Sequence, residues 1–181
     1  MSRWPLRPHP ATPCAAVQRL EVSLVREPDG WRLSYALAGA LPALRLPHPS
    51  EHPGPTDGLW RHTCFEAFVG TVGSARYHEF NFSPSGDWAA YAFAAEHQRD
   101  PAAPTGPAPR IACTHDARTL RLTAWLPADA LPAMGGVLGL SAVVETTDGA
   151  LSYWALAHPR AQPDFHQAAG WTARLPDNRR P

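Results

Sequence analysis

The chain has 181 residues, of which 44% are hydrophobic and 18% are charged, so it can form one folded domain with a buried core. Its 16 basic and 16 acidic residues cancel. This balance argues against nucleic acid or an anionic membrane as a partner, because both require a basic surface.

The N-terminal sequence MSRWPLRPHPATPCAAV contains no apolar run of signal-peptide length, and no stretch of the chain is apolar enough to span a membrane. We therefore expect a cytoplasmic protein with a single domain over 1–181, in which 1–15 form an extended, proline-rich N-terminal arm. Cys14, Cys64 and Cys113 lack the spacing of a metal site and are expected to be reduced thiols.

Alternating apolar and polar residues predict a β-hairpin near the start of the chain, with strands at 17–25 and 31–38. Further strands are predicted at 59–69, 75–83, 88–95, 111–114, 119–126, 137–146, 151–156 and 171–175, with one or two helical turns within 127–134. The 21 prolines cluster between these segments, as is usual where strands are short. The pattern predicts an all-β fold, an antiparallel β-sandwich of jelly-roll or immunoglobulin-like kind with about nine or ten strands.

The predicted strands at 59–69, 75–83 and 88–95 carry the candidate site. Phe65, Ala67 and Val69 must share the core face with Phe80 and Phe82, since a shift by one residue would bury the glutamates. With a turn at 70–74, this requirement predicts three cross-strand pairs: Glu66 with Glu79, Cys64 with Asn81, and His62 with Ser83.

A tight turn at 84–87 is expected to place Trp88, Ala90 and Ala92 on the same outer face, with Tyr91 and Phe93 toward the core. The outer face then forms a trough with small residues along its border, tryptophans at its end and carboxylates on its floor. Such a surface is typical of a site for a small molecule.

Glu66 and Glu79 are the most informative residues of this face. As a directly opposed pair they are expected to have Cβ atoms about 5 Å apart, where like charges repel. Such a pair shares a proton, binds a cation such as calcium, or accepts hydrogen bonds from ligand hydroxyls. The structural alternative is that another layer covers the face and its polar groups satisfy one another.

The segments LWRHTCFEAFVG and YHEFNFSPSGDWAAYAF, with the later YWALAHP and PDFH, resemble bacterial DOMON-like proteins, which are relatives of family 9 carbohydrate-binding modules. The resemblance implies a β-sandwich that binds sugar or haem without chemistry of its own. In the carbohydrate-binding relatives, aromatic rings grip a sugar while carboxylates and amides bind its hydroxyls. The positions that match this role here are Trp60, Glu66, Glu79, Asn81, Trp88 and Trp154. His62, Tyr77 and His158 complete the set of candidate ligand-binding residues.

Two alternatives to a non-catalytic carbohydrate-binding domain remain open. In haem-binding relatives a Met and a His ligate iron, and this chain offers Met134 with His158 or His62. The second alternative is a glycoside-processing enzyme that uses Glu66 and Glu79 as its carboxylate pair. We expect binding without catalysis, because opposed residues on a flat sheet seldom form the enclosed cleft that catalysis requires.

The sequence Asp164-Phe165-His166 near the C-terminus has two interpretations. Asp164 could orient His166 or His158, as in an acid–base pair or around a metal. Alternatively, Asp164 caps a short helix while Phe165 plugs the sandwich. The nine histidines show no spacing typical of a zinc enzyme.

Overall fold

The computed structural model describes residues 2–132 and 135–175. The strands in chain order are β1 (Ser2–Pro8), β2 (Val17–Glu27), β3 (Gly30–Gly39), β4 (Cys64–Thr71), β5 (Tyr77–Phe82), β6 (Trp88–Ala95), β7 (Gln98–Arg99), β8 (Arg110–His115), β9 (Thr119–Pro127), β10 (Gly136–Glu145), β11 (Leu151–Ala155) and β12 (Ala173–Arg174). Short 3-10 helices occupy Leu41–Ala43, Leu59–Arg61, Ala128–Ala130 and Ala168–Gly170. Within the described residues no helix has the length and apolarity needed to cross a membrane. The predicted all-β antiparallel sandwich is confirmed.

Two sheets meet at β1. The first sheet has the order β1-β2-β3-β9-β8, and the second has the order β7-β6-β5-β4-β10-β11-β1. Residues 2–6 of β1 pair with β2, whereas Arg7 and Pro8 pair with β11. Strand β12 adds to the free end of β10 beside β11. The first strand therefore passes from one layer of the sandwich to the other.

The core lies between the two sheets. Leucines and valines of β2, β3 and β9 face phenylalanines, alanines and leucines of β4, β5 and β10 in one buried cluster. Tyr35 joins the layers, because its ring lies 5.1 Å from that of Phe65 and its hydroxyl donates to the carbonyl of Glu66 at 2.7 Å. Phe65 and Phe82 are directly paired and fully buried, as the predicted core face requires.

All ten predicted strands are present, with shifted ends. The largest shift is at 59–69, where Leu59–Arg61 is a 3-10 helix and the strand begins at Cys64. The sequence pattern missed β1 and β7. The expected N-terminal arm is extended, but its first half is β1 and belongs to both sheets.

The predicted register between β4 and β5 was wrong by two residues. Glu66 pairs with Asn81, and Phe68 pairs with Glu79. The actual turn between the strands spans 71–76, with the amide of Ser74 donating to the carbonyl of Thr71. Because side chains alternate with a period of two, the shift leaves Glu66, Glu79 and Asn81 on the same face.

The predicted orientation of β6 was wrong by one residue, which exchanges its faces. Trp88 pairs with Phe82, and Ala90 pairs with Phe80, so these residues face the core side. Tyr91 pairs with Glu79 and lies on the outer face with Phe93. The loop before β6 has five residues and is closed by a hydrogen bond from the amide of Ser83 to the carbonyl of Asp87. Gly86 in this loop adopts a φ of 94° that favours glycine.

Candidate functional site

A cleft of about 510 Å³ lies on the outer face of the second sheet. Its floor comes from adjacent strands: Glu66 and Phe68 of β4, Glu79 of β5, Phe93 of β6, Val143 of β10 and Tyr153 of β11. Its rim comes from segments outside the central strands: Trp60, His97, Arg99, Pro163, Asp164, Phe165 and His166. The outer face is thus neither free nor sealed, since a loop covers part of it and leaves the cleft beside it.

Trp171 anchors the loop that forms one wall. Its ring stacks on Phe68 with a centroid distance of 5.8 Å, and its Nε1 donates to the carbonyl of Phe165 at 2.8 Å. The indole can approach the sheet because Gly139 has no side chain, and a Cβ there would lie 2.1 Å from Cδ1 of Trp171. This close contact fixes the position of Phe165 and His166.

The opposite side of the cleft is built around Arg99. Its guanidinium lies 3.7 Å from the ring centre of Tyr91 and 5.6 Å from that of Trp60. Asp57 contacts this group through an ion pair with Arg99 at 3.5 Å and accepts a hydrogen bond from the hydroxyl of Tyr91. These contacts hold Trp60 at the mouth of the cleft.

Glu66 and Glu79 are almost fully buried, with 2% and 5% of their surface exposed, although both line the cleft. Ser141 Oγ donates to Glu66 Oε2 at 3.2 Å, and Asn81 Nδ2 donates to Glu79 Oε1 at 2.8 Å. Burial and the neighbouring charge of Glu79 raise the pKa of Glu66 well above its usual range. Burial also raises the pKa of Glu79 to about 7, although the Asn81 hydrogen bond and the charge of Arg99 oppose this shift.

His166 connects the loop to the floor. The distance from its Nδ1 to the hydroxyl of Tyr77 is 2.6 Å, and its Nε2 lies 3.7 Å from Glu79 Oε2. Burial and the nearby charge of His97 lower the pKa of His166 to about 4, so the ring is neutral at pH 7. The Tyr77 hydroxyl also accepts from the backbone amide of His97 at 3.3 Å, so it joins His97 and His166 on the same side of the cleft.

Glu96, His97 and Asp164 form the one described group whose spacing would suit a metal ion, with ligand atoms within 4.8 Å of one another. Arg160 already pairs with Glu96 and with Asp164, each at 2.5 Å. His97 Nε2 lies 3.1 Å from Asp164. An arginine thus balances the negative charge of this cluster, and a cation would have to displace it.

The structure brings together five of the candidate residues. Trp60, Glu66 and Glu79 line the cleft, while Tyr77 and Asn81 hydrogen-bond to lining residues. The PDFH sequence follows neither interpretation fully. The carboxylate of Asp164 pairs with His97 and Arg160 and accepts from the backbone amide of His166, while Phe165 lines the outer wall of the cleft and does not enter the core between the sheets.

The other four candidates lie away from the cleft. Trp88 lies on the core side of β6, and Trp154 belongs to the core between the sheets, because it pairs with Ala142 on the inner face. His62 pairs with Glu145 at 2.8 Å, and His158 lies 2.8 Å from the carbonyl of Arg7. Met134, the candidate haem ligand, lies outside the described residues.

Several lining residues were missed by the sequence reasoning, namely Phe68, Phe93, His97, Arg99, Val143 and Tyr153. Phe68 carried a usable signal, since it follows Glu66 by two residues and must share its face. His97 and Arg99 gave none, because the positions of the turn after β6 and of β7, which contains Arg99, depend on how β7 pairs with β6.

Comparisons with known proteins add a fold relationship. No family model matches the chain, and neither does any curated protein. Among solved structures, it is similar to a protein from Bacteroides uniformis that bears the name "putative carbohydrate-binding protein". The TM-score is 0.60 at 15% sequence identity, over 94% of this chain and 84% of that one. The chain therefore shares its sandwich fold with that protein, while membership of the DOMON-like or family 9 carbohydrate-binding group is not confirmed.

Proposed function

We propose that the cleft binds a small carbohydrate or a similar hydroxylated ring molecule. The observation that carries this proposal is the placement of two buried carboxyl groups, Glu66 and Glu79, on the floor of a cleft with aromatic walls. Aromatic rings pack against the apolar face of a sugar ring, while carboxylate oxygens accept hydrogen bonds from its hydroxyls. The cleft volume of about 510 Å³ suits a small molecule.

Two further facts support this function. The Bacteroides uniformis protein, whose name includes carbohydrate binding, shares the fold over 94% of this chain. The motifs around Trp60, Glu66 and Glu79 resemble those of DOMON-like proteins and family 9 carbohydrate-binding modules. In this chain the same three residues line the cleft.

Trp60→Ala should weaken carbohydrate binding about tenfold, because packing of a sugar ring against an aromatic side chain is worth more than about 1 kcal/mol. Trp60 is the one tryptophan that lines the cleft. The measurement is isothermal titration calorimetry with the sugars that quench or enhance wild-type tryptophan fluorescence in a panel of mono- and disaccharides.

Trp125→Ala is the matched control, since Trp125 lies half-buried on β9 in the first sheet, under Arg110. It should bind with wild-type affinity. A wild-type protein that responds to no sugar in the panel, or equal losses in both variants, would contradict a carbohydrate site in this cleft.

A glycoside-processing enzyme is the second candidate function. It is favoured by the pKa of Glu79, which at about 7 suits a group that donates or accepts a proton near neutral pH. If the protein is an enzyme, the wild type should release p-nitrophenol from nitrophenyl glycosides. Glu79→Gln should abolish this release, and the control Glu51→Gln should keep it. Sugar binding without any release of p-nitrophenol would contradict the enzyme and support only the binding function.

No observation favours the haem alternative. The ring nitrogens of His62 and His158 contact protein groups away from the cleft, and Met134 is outside the described residues. A Soret band in purified protein after addition of haem would support haem binding.

A further inference from the structure

Glu66 and Glu79 differ from the other buried carboxylate of the described residues in lacking a cationic partner. Glu145, with 4% of its surface exposed, lies 3.0 Å from Arg45 and 2.8 Å from His62. No arginine nitrogen within 2–132 and 135–175 lies within 4.0 Å of the Glu66 or Glu79 carboxylate. The sequence contains no lysine, so no side-chain ammonium can fill the role.

The charged and titratable groups around Glu79 do not supply the missing charge. His166 is the nearest, with Nε2 at 3.7 Å, but it is half-buried and neutral. Arg99 attracts Glu79 from a distance while its guanidinium is held over Tyr91 and beside Asp57. His97 pairs with Asp164, while the charges of Asp57 and Glu66 are of the same sign as that of Glu79.

Hydrogen-bonding capacity remains unused on the same floor. One oxygen of Glu66 accepts from Ser141 and one oxygen of Glu79 accepts from Asn81. No described residue donates to the second oxygen of Glu66. The Oδ1 atom of Asn81, on the residue paired with Glu66, is buried and has no hydrogen-bond partner among the described residues. On and directly beneath the cleft floor, acceptors thus outnumber the donors that meet them.

The aromatic side chains of the walls favour positive charge as well, and the charge of Arg99 at the rim is offset by its ion pair with Asp57. Five aromatic side chains line it: Trp60, Phe68, Phe93, Tyr153 and Phe165. The face of an aromatic ring attracts a cation, and carboxylates combined with several rings are a recurrent way to bind an ammonium group. A neutral hydroxyl can donate a hydrogen bond to either carboxyl group, whereas an ammonium group both donates hydrogen bonds and stabilises the ionised form, which burial disfavours at Glu66 and Glu79.

We propose that the ligand of this cleft carries a protonated amine, whose N–H groups bind Glu66 and Glu79 while its ring packs among the aromatic side chains. The proposal rests on the function proposed above, in that it takes the same cleft as the binding site and specifies an amino sugar or another ring-bearing amine as the ligand class.

The test compares matched amine and hydroxyl compounds by calorimetry at pH 7. The first pair is glucosamine and glucose, with N-acetylglucosamine as a neutral derivative, and the second pair is 2-phenylethylamine and 2-phenylethanol. We expect the amine of each pair to bind at least about tenfold more tightly than its neutral counterpart, corresponding to one charge-assisted interaction. The double variant Glu66→Gln, Glu79→Gln should remove this preference, whereas Glu51→Gln, at an exposed site, should keep it.

The pH dependence provides a second readout. An alkylamine such as 2-phenylethylamine stays protonated between pH 6 and pH 8, as the side chain of lysine does. Its affinity should rise roughly tenfold between pH 6 and pH 8, because Glu79 loses its proton near pH 7 and the ammonium group needs the carboxylate.

The outcomes separate the two proposals. Neutral sugars that bind as tightly as glucosamine would contradict the amine proposal and would still support a carbohydrate site in the cleft. If 2-phenylethylamine binds and none of the sugars does, the result would support the amine proposal and contradict the carbohydrate proposal. Binding of calcium chloride to the cleft, with no detectable binding of either amine, would identify a divalent-cation site and contradict the amine proposal.

Discussion

Gly139→Ala should strongly weaken ligand binding while leaving the sandwich folded. The added Cβ would lie 2.1 Å from Cδ1 and 2.5 Å from Nε1 of Trp171, so the indole must leave its place on the sheet. Trp171 then loses its stacking on Phe68 and its hydrogen bond to the carbonyl of Phe165. The wall residues Phe165 and His166 would move with it.

We expect Gly139→Ala to lower ligand affinity more than about tenfold and to reduce the free energy of unfolding by about 1–3 kcal/mol, as overpacking of a buried site does. Calorimetry measures the first effect, urea denaturation the second, and near-ultraviolet circular dichroism the displacement of the indole. Far-ultraviolet circular dichroism should stay unchanged.

Gly54→Ala is the control for this change. A Cβ at position 54 would meet one atom within 4 Å, the carbonyl oxygen of His52 at 3.8 Å, which is ordinary contact. This variant should bind and unfold like the wild type. Wild-type affinity in Gly139→Ala would show that the wall contributes nothing to the site.

Glutamine at position 79 should stabilise the protein at pH 8 and have little effect near pH 4.5. Burial raises the pKa of Glu79 from its ordinary value of 4.5 to about 7. Between these values the unfolded chain releases the proton while the folded chain keeps it, so native stability falls as pH rises through this window. The shift corresponds to roughly 3 kcal/mol once the pH exceeds 7.

Glu79→Gln removes this cost because the amide carries no charge, and its oxygen can still accept from Asn81 Nδ2. Urea denaturation at pH 5 and pH 8 should therefore show a difference from the wild type that grows with pH toward about 3 kcal/mol. The gain includes a smaller penalty at Glu66, since the charge of Glu79 also raises the pKa of Glu66. Glu51→Gln, at an exposed position, should change stability by less than about 0.5 kcal/mol at both pH values. A gain of the same size at pH 5 and pH 8 would contradict ionisation as its cause.

The sequence pattern located ten strands because each alternates or is bounded by turn residues. The missed β1 contains Pro5 and Pro8, which argue against a strand. They are tolerated because each half of β1 pairs on one side only: Pro5 with β2, and Pro8 with β11. Proline has no backbone N–H to donate, and no sheet hydrogen bond is lost where it faces the unpaired side of a strand.

The faces of β4 and β5 were predicted correctly, whereas that of β6 was not. In β4 and β5 one set of alternating residues is apolar and the other contains the glutamates, so only one orientation avoids burying charge. In β6 both sets contain aromatic residues, Trp88 in one and Tyr91 with Phe93 in the other. Its orientation depended on the length of the preceding loop, where one extra residue exchanges the faces.

The cleft itself could be predicted only in part. Its carboxylates follow from strand alternation, but its walls depend on contacts between residues far apart in sequence. His166 meets Tyr77 across 89 positions, and Asp164 meets His97 across 67. No local pattern encodes such contacts, and they become visible only once the order of the strands is known.

The floor and the loop wall of the cleft belong to different kinds of structure, which matters for engineering. The carboxylates sit on paired strands, where a substitution that alters the backbone would disturb both layers. The wall between Pro163 and His166 is irregular chain, fixed mainly by one indole and a few polar contacts. A library that varies this short segment should therefore change the ligand selectivity of the cleft. Glu66 and Glu79 on the floor would remain the common anchoring point in every variant.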